Sequence, residues 1–179
     1  MLNLIFIIGM LCFTTSAKEY KAVDSLSLPE YMGTWYEVYQ NDFDKLFQKN
    51  SHCSRATYQI IDNNKVSVLN EALNDKNQYD HIEGYAFYKD NDCCGYLTVH
   101  LNGLNDAPYW VLELGPIYNN YYDYAIVSDN VGYSLFVLAR DVDRFFKSYN
   151  EQVLTSLQEF GFNKKYNYPI EMNQTDCTI

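Results

Sequence analysis

Residues 29–40 read PEYMGTWYEVYQ. Gly33 and Trp35 stand two positions apart at the head of a run rich in β-branched and aromatic residues. A glycine permits a tight turn into a strand, and GTWYEVYQ (33–40) has a strand's composition. Two roles suit the pair: a plain entrance turn, or the closed base of a barrel that holds a ligand. The rest of the chain decides between them.

Downstream the pattern recurs. CSRATYQII (53–61) alternates and runs into the turn DNNK (62–65). VSVLNEAL, QYDHIEGYAFYK, GYLTVHL, PYWVLEL, YYDYAIVS and YSLFVLAR follow, cut by polar turns and loops. Eight short strands at near-regular spacing predict an antiparallel meander, as a barrel or a sandwich. After residue 140 the period changes. Phe146, Tyr149, Val153, Leu157 and Phe160 recur at steps of three and four, predicting one helix over about 143–160. Asp143 is positioned to cap its start and Gly161 to end it. Residues 161–179 read as an extended arm. A closed barrel leaves no sheet edge exposed, can hold one small ligand, and gives the helix an outer wall on which to bury its stripe. A sandwich accounts less well for the lone helix.

Residues 1–17, MLNLIFIIGMLCFTTSA, carry no charge. Their apolar run is too short to span a bilayer, and Thr15 and Ala17 supply the small residues of a cleavage site. The segment reads as a secretory signal peptide, leaving residues 18–179 as a single domain large enough for one core. The formal net charge of -10 repels phosphates and argues against nucleic acid as a partner. The 18 tyrosines suit strands and binding pockets, each offering an apolar face with a polar tip. Besides Cys12 the chain has Cys53, Cys93, Cys94 and Cys177, which a secretory compartment would oxidise; several pairings are open. No CxxC pair or histidine cluster points to a metal, and nothing in the sequence calls for a cofactor. It carries no signal for an oligomeric state.

The residues also resemble a known family. GTWYEVYQ is similar to the G-x-W motif of the lipocalins, YYDYAIVSD to the tail of their second motif, and Arg140 in LFVLAR to their third. KVSVLNEAL, HIEGYA and APYWVLEL resemble the branch containing apolipoprotein D and the bacterial lipocalins. The resemblance runs from Pro29 to Cys177. It implies an all-β fold, an eight-stranded antiparallel up-and-down barrel over about 33–140 with one C-terminal helix packed outside. One position departs from the pattern: the T-D-Y before the seventh strand aligns with Asn119, Asn120 and Tyr121, after an apparent insertion in GPIYNN, and its aspartate is lost.

The same resemblance implies that Cys53 pairs with Cys177. Cys93 and Cys94 are then a local pair, free thiols or intermolecular links, in a turn away from the barrel mouth. Gly33, Trp35 and Arg140 become a structural closure, with Arg140 stacked on Trp35. The family's phase, with side chains alternating along each strand, puts Tyr58, Val68 and Asn70 inward on the second and third strands. Ile82 and Ala86 follow on the fourth, and Leu97, Val99 and Leu101 on the fifth. Tyr109, Val111, Val127, Phe136 and Leu138 complete the set. These residues suit a hydrophobic molecule with one or two polar ends, such as a lipid, sterol, retinoid, carotenoid or bilin. In the 41–52 loop, Phe43, Leu46 and Phe47 are apolar and would meet a ligand, a lipid or membrane surface, or simply the rim. Asn173-Gln174-Thr175 is a glycosylation sequon in the eukaryotic secretory pathway.

The expected function is therefore a secreted carrier of a small hydrophobic ligand. Alternatives are a secreted protein-interaction module using the loops, or a lipocalin-type enzyme. Enzymes of the family that use a cavity thiol would need an inward cysteine, and none is present. His52, His81 and His100 are scattered, and no G-x-S-x-G, H-E-x-x-H or phosphate loop occurs.

Overall fold

Gly33 adopts a φ of 93°, a left-handed value that costs glycine nothing because it has no Cβ. It separates a one-turn helix, α1 (Leu28–Tyr31), from the first strand, β1 (Gly33–Gln40). The structure is a computed structural model describing residues 20–42, 51–89 and 94–177. Residues 1–17, expected from the sequence to be a signal peptide, the loop residues Phe43, Leu46 and Phe47, and Cys93 lie outside the described residues.

From β1 the chain winds up and down through β2 (His52–Asp62), β3 (Lys65–Leu73), β4 (Tyr79–Phe87), β5 (Tyr96–Leu101) and β6 (Ala107–Leu114). A small hairpin, β7 (Ile117–Tyr118) with β8 (Tyr121–Tyr122), interrupts the meander. Then β9 (Tyr124–Ser128) and β10 (Leu135–Ala139) complete it. Neighbours pair antiparallel, and β10 returns to pair with β1, so the eight long strands close into a barrel. Strand number and spacing leave barrel or sandwich open, and the lone helix and the lipocalin resemblance favour the closed barrel that forms. The hairpin was not expected. Asn119 and Asn120 both have positive φ, 49° and 68°, as a tight two-residue hairpin turn requires, and asparagine tolerates that region. The apparent insertion is thus a folded element. Asp123 stands directly before the seventh barrel strand, which Tyr124 opens, so an Asp-Tyr pair lies at the start of that strand in addition to Asn119, Asn120 and Tyr121, which the family resemblance aligns there.

The C-terminal helix differs from expectation in two ways. It is split into α2 (Val142–Ser148) and α3 (Asn150–Phe160), with Tyr149 between them at φ -122°. Tyr149 still accepts from the Val153 amide, so the chain bends there and does not unwind, and its ring packs 5.3 Å from that of Tyr124. The N-cap is Asp141, not Asp143: the Asp141 carboxylate accepts from the Arg144 amide at 2.8 Å. The apolar stripe fixed the helix but not which of two acidic residues precedes its first turn. Gly161 ends α3 in the left-handed conformation, φ 88°, as expected.

Apolar burial falls into two layers. One lies between the helices and the barrel wall and includes Val38, Ile126, Leu135, Val137, Phe145, Val153 and Leu157. The other fills the barrel around Trp35, Tyr58, Val68, Leu97, Val111 and Val127. Between Glu37 and Tyr39 the register of β1 against β10 slips by a bulge, and above Tyr36 β1 no longer pairs with β2. The C-terminal arm occupies the gap. A short β11 (Ile170–Glu171) pairs with β1, and the Gln174 side-chain amide donates to the carbonyls of Glu37 and Ser54 at 2.8 and 2.7 Å. The Cys53–Cys177 disulfide fastens the arm to β2.

Candidate functional site

The base of the barrel is closed by a cation. The Arg140 guanidinium carbon sits 3.6 Å from the Trp35 ring centroid and 5.2 Å from that of Tyr121 in the hairpin. Its N–H groups donate to the carbonyls of Thr34 and Met32, both at 2.7 Å, and of Tyr31 at 3.0 Å, with longer bonds to Glu30 and Tyr122. The Trp35 indole N–H also donates to the Tyr31 carbonyl. The end of β10 thereby locks α1, the start of β1 and the hairpin together. Burial lowers the Arg140 pKa to about 10, which leaves it charged at neutral pH.

Above this base lies a cavity of about 110 Å³. Of the inward candidates, Tyr58, Val68, Asn70, Ala86, Leu97, Val99, Leu101, Tyr109, Phe136 and Leu138 line it. Val111 and Val127 are buried in the same inner core but do not reach the cavity. Ile82 is half-buried, opposite Asn70 in the β3–β4 ladder, and is not part of the lining. Val111 and Val127 are register partners on the adjacent strands β6 and β9 and are almost fully buried, so an inward phase alone does not place a side chain on the cavity surface.

Several lining residues were missed: Leu28, Tyr31, Met32, Glu37, Ser54, Arg55, Ala56 and Val66. Glu37, Ser54, Ala56 and Val66 carried a signal, because each is two residues from an inward neighbour on its own strand. Leu28, Tyr31 and Met32 precede the barrel, where no strand period exists to find them. The wall is more polar than expected. Tyr31 and Tyr109 hydroxyls share a 2.8 Å hydrogen bond, and Tyr58 and Tyr109 hydroxyls one of 3.2 Å. Three hydroxyls joined by two hydrogen bonds leave one proton and several lone pairs available to a guest. Burial pushes the Tyr58 phenol up to about 12, and Tyr31 and Tyr109 well above the ordinary tyrosine value. All three are neutral hydrogen-bonding groups at physiological pH.

Arg55, which is part of the cavity lining, makes a two-point contact with Glu71, Nε to Oε2 at 2.8 Å and Nη2 to Oε1 at 3.0 Å. That hydrogen bond, against the opposing effect of burial, holds the Glu71 carboxyl below its ordinary range. His100 bonds Asp106 at 2.7 Å in an exposed contact. The Asn173 side chain is exposed, and its Oδ1 accepts from the Thr175 hydroxyl and amide at 2.6 and 2.9 Å. Cys94 lies half-buried in the segment leading into β5. Among the described residues no helix is long and apolar enough to cross a membrane, and no group of metal-ligating side chains gathers.

A family profile described as a lipocalin-like domain matches residues 26–167. The outer membrane lipoprotein Blc of Vibrio cholerae serotype O1 is 31% identical over 121 residues, covering 67% of this chain and 68% of its own. Apolipoprotein D of Cavia porcellus is 33% identical over 99 residues, covering 55% of this chain and 50% of its own. Among solved structures, lobster apocrustacyanin A1 matches with a TM-score of 0.60 over 84% of this chain and 81% of its own, at 16% identity. That last likeness is one of fold.

Proposed function

The chain belongs to the lipocalin family, near the bacterial lipocalins and apolipoprotein D, and on that premise we propose that it is a secreted carrier holding a small, largely apolar ligand inside its barrel. The observation that carries this reading is the cavity: apolar walls, one closed end, and a cluster of neutral hydroxyls above the base. An apolar pocket with a few convergent polar groups is the usual form of a small-molecule site. Secretion is supported by the uncharged segment 1–17, the Cys53–Cys177 disulfide and the exposed sequon at Asn173. We read the protein as a binder and not a catalyst. Among the described residues the lining offers no histidine, lysine or cysteine, the side chains most often used as base or nucleophile.

Native mass spectrometry of unstripped protein tests the reading, since it reports bound ligand, leader removal and any glycan together. A retained small molecule is expected, with saturable quenching of tryptophan fluorescence when stripped protein is titrated with lipids, sterols or retinoids. Phe136→Arg, which places a charge in the apolar lining, should abolish uptake while the circular dichroism of the barrel persists. No bound species and no saturable quenching across the panel would sink the carrier reading. One feature favours a second reading as an interaction module. Ile117, Tyr118 and Tyr121 are about half exposed on the β7–β8 hairpin at the closed end, well away from the cavity.

A further inference from the structure

Resting on the cavity reading above, we propose that the linked hydroxyls of Tyr31, Tyr109 and Tyr58 form the polar subsite of the cavity, selecting a compact neutral ring whose carbonyl accepts one phenolic proton. The three side chains come from α1, β6 and β2, and all of them line the cavity. The Tyr109 hydroxyl is the central one, 2.8 Å from that of Tyr31 and 3.2 Å from that of Tyr58.

A proton count gives the subsite its preference. Each phenol brings one O–H, and the two hydroxyl–hydroxyl bonds use two of the three protons. Among the described residues these hydroxyls make no other hydrogen bond, which leaves the third proton for a guest. A donor enclosed without an acceptor is costly, and linked hydroxyls strengthen one another as donors. A carbonyl oxygen answers the third proton and brings no proton of its own to satisfy. Burial raises all three phenols above the ordinary tyrosine value, so they stay protonated at neutral pH. An ionised guest would leave water at a far higher cost than one phenolic donor returns.

The subsite is fixed before a guest arrives. The Tyr31 and Tyr58 rings stack, with centroids 5.9 Å apart and planes 6° from parallel. Tyr109 meets Tyr58 edge-on at 6.3 Å. Tyr31 packs 5.1 Å from Trp35, whose indole N–H holds the Tyr31 carbonyl. Donors placed in advance reduce the ordering cost of binding. Glu37, Ser54 and Arg55 also line the cavity, but each is engaged with other groups of the protein. Around the hydroxyls the wall is apolar, with Val66, Val68, Leu97 and Leu138 among its residues. Size sets the body of the guest. About 110 Å³ is of the same order as the ~150 Å³ cavity that admits benzene, so one ring with a short carbonyl arm fits better than a long acyl chain.

Infrared spectroscopy of acetophenone, isotope-labelled at its carbonyl and bound to the purified protein, tests this. Calorimetric titration compares acetophenone with isopropenylbenzene, the isostere in which a methylene replaces the carbonyl oxygen. The bound carbonyl stretch should fall below its position in hexane. Asn70→Leu, which removes the one amide of the described lining, should leave that shift in place. The triple variant Tyr31→Phe/Tyr58→Phe/Tyr109→Phe keeps the rings and removes the hydroxyls together, so none is left unpaired. It should abolish the shift and weaken acetophenone about five- to tenfold, with isopropenylbenzene unchanged or tighter. If the triple variant does not fold, the infrared shift in the wild type and in Asn70→Leu still decides. An unshifted carbonyl, a shift lost in Asn70→Leu, or equal losses for both probes overturns the tyrosine subsite and leaves the carrier reading standing. Failure of both probes to bind also overturns it, and takes the carrier reading with it only if the larger lipids and sterols are not taken up either.

Discussion

Arg140 is the residue on which the closed end turns. One guanidinium answers carbonyls from α1, from the start of β1 and from the hairpin, while its face lies against Trp35. No other side chain combines five fixed donors with a flat face that stacks on an aromatic ring. Gly33 is required beside it by its left-handed φ of 93° and not by crowding, since a Cβ there would lie at an ordinary contact distance, 3.4 Å, from Arg140 Nη1. Trp35 is fully buried, and removing its ring leaves a void in the base. Trp35→Ala should therefore cost about 3–5 kcal/mol of stability in urea denaturation, and change affinity for a neutral ligand far less. A variant with reduced affinity and unchanged stability would move Trp35 from closure to binding.

At the scale of elements, the helix shows how a pattern fixes an object but not its ends. The spacing of Val153, Leu157 and Phe160 identifies an amphipathic helix wherever the cap lies. The cap depends on which residue leaves the extended region with its carboxylate facing a free amide, and that is Asp141. Asp141 also contacts the Arg144 side chain, which in turn bonds the buried Asp123 before β9. Asp141→Ala should destabilise by about 1 kcal/mol or somewhat more, seen as a lowered Tm. Asp143→Ala should move the Tm much less, and equal effects would contradict the assignment. The β7–β8 hairpin makes a similar point. Its asparagine pair looked like an insertion in one dimension, yet folds as a turn that brings Tyr121 over Arg140.

At the scale of the molecule, the barrel closes twice, once through the β10–β1 ladder and once through the arm that fills the opening between β1 and β2. The disulfide ties positions 124 residues apart. Closing so long a loop stabilises nominally by about 4–5 kcal/mol, chiefly by restricting the unfolded chain. The double variant Cys53→Ser/Cys177→Ser should lose a large part of that in urea denaturation. A loss below about 1 kcal/mol would mean that β11 and Gln174 hold the arm and that the covalent link adds little.

The sequence by itself determined the strand count and the helix, because these follow from local periods of two and 3.6 residues that each segment carries alone, while the closed barrel and most of the inward set were legible through the resemblance to the lipocalins, which fixed the phase of each strand. The closure by Gly33, Trp35 and Arg140 was legible through that same resemblance, whose motifs fall at fixed positions on the first and last strands. What only the tertiary structure decided depends on segments distant in the chain meeting in space. Tyr31 joins the cavity because α1 folds beneath it. Val111 and Val127 leave it because, paired side by side on β6 and β9, they are buried in the packed inner core. Glu37 gains its place beside an apolar cavity because a bulge in β1 and the returning arm arrange the wall around it. None of these meetings is encoded in a single segment's pattern, since each is set by how strands from opposite ends of the chain pack against one another.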